Sequence, residues 1–297
     1  MPIQILNKAY ASATNKLPAP LFQGKNKALA MPYNVPADDE DEFVSTASKK
    51  AENYQYFPLR DHRILNTQEE ESKRLMSQWI EEFLAKPNEQ LVAPDKKTEK
   101  NVPGPKRSVC PFIPGALKRN TIFLAVEPVE KPTLDAVEKK LEVLKTDFLN
   151  MQPTSGRESM FKTTIITFPN LNPQLAPEII DEVQRKAKKS FVKDGLMIGE
   201  FHELNNTPGL WNPEFMPLRT PVPALAIRYM VDNDLLFLKD PKYSPAERVE
   251  FLQSFLDKNR EFKRNIAPAQ EALAQAQQEL KERQKNEPSF FTKLLNW

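Results

Sequence analysis

The sequence predicts an α+β fold: a mixed sheet covered by helices, with an extended N-terminal arm and a C-terminal helix. Three observations predict it. Short runs rich in β-branched and aromatic residues, at 122–126, 163–168, 196–201 and 224–231, have the length of strands. The stretches between them carry apolar residues at helical spacing. Their order from Ser108 to Phe262 reads β-α-β-α-β-β-α, and one sheet flanked by helices follows from that order.

Residues 1–60 read as a proline-rich, partly disordered arm. Pro18, Pro20, Pro32 and Pro36 interrupt it, and an acidic run covers 38–42. Such a segment buries too little apolar surface to offset its ordering entropy. Residues 61–102 read as a helix and a linker. Thr67 and Glu70 have the spacing of a capping box. Leu75, Met76, Trp79, Ile80, Phe83 and Leu84 then share one helical face, and Pro87 stops the helix. The lysine-rich stretch that follows, with its Pro-Gly-Pro at 103–105, reads as linker.

The core domain is placed at 103–262. After its first strand, Leu134, Val137, Leu141, Leu144 and Phe148 line one face of a helix. After the second strand, Pro177 stands at a first helical position, and Ile180, Val183, Ala187 and Phe191 supply the buried face. Ser244-Pro245-Ala246-Glu247 is a second capping box, and it turns Val249, Leu252, Phe255 and Leu256 inward. Residues 263–297 are a C-terminal helix and an apolar tail. Ala269, Leu273, Ala276 and Leu280 form a narrow stripe, and the tail FFTKLLNW is expected to dock on the core.

Composition narrows the function. Seven glycines, with no GxGxxG and no GxxxxGK[ST], count against phosphate-cradling nucleotide folds. A net charge of +2 with interspersed signs predicts no nucleic-acid footprint. One cysteine, Cys110, allows neither an internal disulfide nor a cysteine-rich zinc site. No run approaches the ~20 apolar residues of a membrane span. The first residues have no signal-peptide core, so the expected location is the cytoplasm.

The chemistry is expected in the stretch 195–231. It holds His202, one of two histidines, together with Arg219, Arg228 and five prolines. A histidine leaving a buried strand beside a loop with Trp211 and Phe215 marks a site. The plainer reading is a hydrogen-bonded strand-end residue. Glu200 and Glu203 flank it, and either is a candidate acceptor for its second ring N–H. Strand alternation puts His202 and Glu200 on one face and Phe201 on the other. His62 reads as exposed in the arm.

With so few chemical groups, redox work would need a cofactor. Haem suits the composition: His202 as axial metal donor, Arg219 and Arg228 for its propionates, and Trp211, Phe215 and Met230 as walls. Cys110-Pro111-Phe112 offers a thiolate as an alternative iron ligand, or simply a small buried hydrophobe.

The segments VCPFIPGAL, GLMIGEFH and NPEFMPLRTPVPALAIRYMV, over about 103–256, resemble an uncharacterised bacterial family built around a Cys-Pro-Phe motif, a domain of unknown function. More distantly, the order of Gly199 to His202 and then Arg219 to Pro223 is similar to YqcI/YcgG-type haem-dependent N-hydroxylases. The resemblance implies that His202 matches the axial haem ligand and Arg219 a family arginine. It departs from that pattern in four ways: no proline follows His202, the loop is longer, the turn holds one arginine rather than several, and the C-terminal half of the pattern is missing. The sequence reading is therefore a haem-binding oxygenase, N-hydroxylating an amino-acid-like amine with a small-molecule substrate and a redox partner. The alternative is a non-catalytic accessory protein that docks on a larger assembly through its arm and C-terminal helix.

Overall fold

The computed structural model describes residues 56–59, 67–94, 101–103, 108–127, 132–209, 212–260 and 266–286. Most of the arm, His62, Trp211 and the apolar tail lie outside the described residues.

The expected order of elements is found. Strand β1 is the two-residue piece Phe57–Pro58. Helix α1, Thr67–Gln78, continues as a π-type turn, Trp79–Leu84. Strands β2, Val92–Pro94, and β3, Asn101–Pro103, form a small antiparallel hairpin. The stretch read as linker thus carries its own pairing. Next come α2, Ile113–Lys118, then β4, Ile122–Val126, and α3, Leu134–Asn150. The short α4, Gly156–Ser159, precedes β5, Thr163–Thr167. A π-type turn, Pro177–Asp181, leads into α5, Glu182–Lys193. Then follow β6, Leu196–Phe201, β7, Ala224–Tyr229, and the short α6, Leu235–Leu238. Helices α7, Pro245–Arg260, and α8, Ala267–Asn286, close the chain.

The main sheet runs β1-β4-β5-β7-β6. Strands β4 and β5 are parallel, and β7 is antiparallel to both of its neighbours, β5 and β6. Parallel pairing needs a crossover, which α3 supplies. Every residue of β4 is buried, as expected of a strand covered on both faces.

Alternation sorts the strand residues into two cores. Phe123, Ala125, Ile166, Ile198, Leu225 and Ile227 meet the stripes of α3 and α5. Leu124, Ile165 and Ala224 meet Met76, Trp79 and Ile80 of α1, with Ala116 and Leu117 of α2. Helix α1 therefore packs on the sheet. The last part of the arm does as well. Tyr56 and Leu59 are buried, the Tyr56 hydroxyl donates to Asp147 at 2.8 Å, and Leu59 N–H donates to Ile122.

Local signals explain the helix starts. The Thr133 hydroxyl accepts from Ala136 N–H and opens α3. Ser244 and Glu247 make the reciprocal pair expected of a capping box ahead of α7. Helix α8 buries Ala269 and Ala276, and its Glu279 is bonded to Arg248 of α7, so its stripe is directed at its own domain.

Candidate functional site

The site grows from the end of β6. Leu196 and Ile198 join the core beneath α5, while Phe201 turns to the other face and meets Trp79 edge-on at 5.5 Å. Gly199 makes that turn possible, because a Cβ there would lie 2.8 Å from the Phe201 ring. Glu200 and His202 consequently face α5, as alternation requires.

His202 is 1% exposed. Its Nε2 lies 2.8 Å from an oxygen of Asp181, whose side chain remains 44% exposed. A carboxylate only accepts, so Nε2 carries the hydrogen of this bond. Nδ1 is buried and has no partner among the described residues. Such an atom asks for an explanation in a native structure.

Next to this pair is a line of titratable groups. Glu200 is half-buried; burial, and then the charge of Asp181, push its carboxyl above the ordinary range. Lys188 of α5 is buried, and desolvation with the nearby Lys242 draws its ammonium down to about 8. Its Nζ donates to the Tyr243 hydroxyl and lies 4.4 Å from the Tyr243 ring centroid. Burial, followed by the charges of Asp240 and Glu200, pushes the Tyr243 phenol upward. Groups displaced in opposite directions on facing elements are what proton-handling sites use.

The outer edge of β6 is closed by side chains. Gln184 donates to the Ile198 carbonyl, and Asn205 donates to that of Glu200. The edge therefore offers little template for an added strand. The loop after His202 is fastened in turn by Arg219, whose Nε donates to the Asn205 carbonyl at 2.9 Å and whose Nη2 donates to Asn206 at 2.8 Å.

The other residues expected at the site are dispersed. Arg228 stands opposite Met197 and Thr163 in the register, whereas His202 follows Phe201, which pairs with Ala224. Four residues of strand separate those points, about 13 Å. Arg228 is also engaged by both oxygens of the buried Asp234 at 2.7 and 2.6 Å. Phe215 is buried 6.0 Å from Phe83, and Met230 is buried past the far end of β7. Cys110 is half-buried with the second core, its N–H donating to Leu84 and its thiol pushed up by burial. Trp211 lies outside the described residues. Arg228, Met230 and Cys110 are therefore not brought together around His202.

The partner of His202 is also not one of the expected glutamates. Glu203 is exposed, and the acceptor is Asp181, twenty-one residues earlier. Nothing in the spacing linked Asp181, Lys188 and Tyr243 to His202. The one available signal was Glu200, a carboxyl on the buried face of a strand.

Among the described residues no three His, Cys, Asp or Glu side chains are grouped to hold a metal ion, and no helix is long and apolar enough to cross a membrane. The family described as a domain of unknown function (DUF6875) matches residues 73–266. That span is about two thirds of the chain, so the chain belongs to this family. The match supports the coarser half of the resemblance and makes no link to a Cys-Pro-Phe motif or to haem-dependent N-hydroxylases. No curated protein and no solved structure matches.

Proposed function

We propose that this DUF6875 member is an enzyme that moves a proton on a small polar molecule, with Nδ1 of His202 as the base. The observation that carries the reading is the arrangement of the imidazole, with Nε2 tied to Asp181 and Nδ1 buried without a partner among the described residues. A carboxylate on one nitrogen fixes the tautomer and leaves the other as an oriented lone pair. Asp181 is the positioning residue. Glu200 and the Lys188–Tyr243 pair form the neighbouring polar wall. Substrate would reach the ring when the loop held by Arg219 moves.

The test is a thermal-shift screen of small polar metabolites on the full chain and on His202→Gln and Asp181→Asn. Compounds that stabilise the wild type should lose most of their effect in His202→Gln. Equal stabilisation of all three proteins would overturn the reading.

A haem-binding oxygenase is the second reading, and the same geometry favours it in one respect. Metal-bound histidines commonly donate their other ring N–H to a carboxylate, as His202 does. It predicts a Soret band in the purified or haem-supplemented protein that disappears in His202→Ala. A protein that stays colourless with added haem excludes it.

A further inference from the structure

A cleft of about 490 Å³ opens where β5 ends and β7 begins. Its size falls within the roughly 300–1,000 Å³ of small-molecule sites. Pro169, Leu171 and Pro173, from the segment after β5, form one wall, and Pro221 to Pro223 form the next. The bond from Phe168 N–H to the Pro223 carbonyl, at 2.9 Å, ties these walls together. Helix α1 supplies the third side through Glu71, Ser72 and Leu75, the last two one helical step apart on the same face.

Two features define what the cleft accepts. Four of its lining residues are prolines, which have no N–H, so the walls offer carbonyl acceptors and apolar rings. Ser72 is 2% exposed and lines the cleft, and its hydroxyl can both donate and accept. The rim adds no free charge, because both oxygens of Glu71 are held by Arg74 at 2.7 and 2.8 Å. The fixed φ of the prolines keeps the walls formed before a ligand arrives, which lowers the ordering cost of binding.

We infer that this cleft is a binding site for a neutral small molecule with an apolar body and one hydroxyl or amide N–H, which meets Ser72. The proposal does not rest on the His202 base: neither His202 nor Asp181, Lys188, Glu200 or Tyr243 lines the cleft, and α1 forms one of its sides.

The probe is benzyl alcohol, with benzoate as its charged comparison, titrated into the isotope-labelled full chain and followed by amide NMR. Benzyl alcohol should shift the amides of Ser72, Leu75, Leu171 and Val222 with millimolar affinity. Ser72→Ala should weaken it about fivefold, the loss of one hydrogen bond. Leu75→Trp, checked by far-UV CD, should fill the cleft and abolish the shifts. Benzoate should leave these amides in place. Absence of shifts in the wild type, shifts confined to other residues, unchanged affinity in Ser72→Ala, or equal binding of benzoate would each overturn the proposal.

Discussion

The ammonium of Lys162 donates to the Phe148 carbonyl at 2.7 Å and lies 4.3 Å from the ring centroid of that same residue. A second bond, at 2.6 Å, goes to the Met151 carbonyl. Lys162 thereby satisfies carbonyls at the end of α3 that have no helical partner. It is fully buried, and desolvation draws it down to about 7 from its ordinary 10.5.

The shift fixes the sign of a pH effect. Between about pH 7 and 10.5 the unfolded chain holds the Lys162 proton and the folded chain releases it. Stability from this group therefore rises with pH across that window, is complete above 10.5, and is lost as pH falls through about 7. Lys188 adds a rise of the same sign from about pH 8. Urea midpoints of the wild type should climb from pH 7 to 9.5. Lys162→Met should flatten the lower part of that climb, and an equally steep variant would show that Lys162 keeps its ordinary affinity for the proton.

The pair Arg228–Asp234 gives a second prediction. Asp234 is buried, holds the guanidinium with both oxygens, and accepts from Val231 N–H at 2.7 Å. Asp234→Ala takes the carboxylate from a half-buried cation and the acceptor from Val231 N–H, and should cost about 3 kcal/mol. A double-mutant cycle with Arg228→Met should give a coupling above about 1 kcal/mol. Additive losses would mean that the two side chains act separately.

Arg219 gives a third prediction, through the loop it holds. Its two bonds hold Asn205 and Asn206 directly after His202. In Arg219→Ala, amide exchange across residues 203–209 should quicken while the core helices keep their protection. Stability should fall by about 1 kcal/mol, the scale of such bonds. Unaltered exchange in that segment would show that the loop is held by other contacts.

The fold was readable because its signals are local. The periodicity around Val137 and Phe148, the Ser244–Glu247 pair and the strand lengths each depend on neighbours within a turn or two. The β1 strand was not readable, since Tyr56 and Leu59 are fixed by Asp147 and Ile122, far along the chain. The surroundings of His202 were not readable for the same reason. His202 and Glu200 were singled out from the strand that carries them, but Asp181, Lys188 and Tyr243 join them only through the packing of α5 and α7. The partner of Arg228 was not readable either, because a lone arginine among apolar residues gives no sign that Asp234, six residues on, will bind it.

His202 and Asp181 yield the last prediction. The sequence placed the histidine at a strand end. The structure buries it at 1% exposure, so His202→Ala should cost about 2 kcal/mol through the cavity and the lost bond. The protein should still fold, because Asp181 is 44% exposed and can be solvated when the ring is removed. Asp181→Asn keeps an oxygen acceptor for Nε2 and should cost less than Asp181→Ala. Long-range ¹⁵N NMR of the imidazole should find hydrogen on Nε2 in the wild type and in Asp181→Asn. Asp181→Ala should allow exchange between tautomers. Hydrogen on Nδ1 and none on Nε2 in the wild type would remove the Asp181 bond, and with it the assignment of Nδ1 as the oriented base.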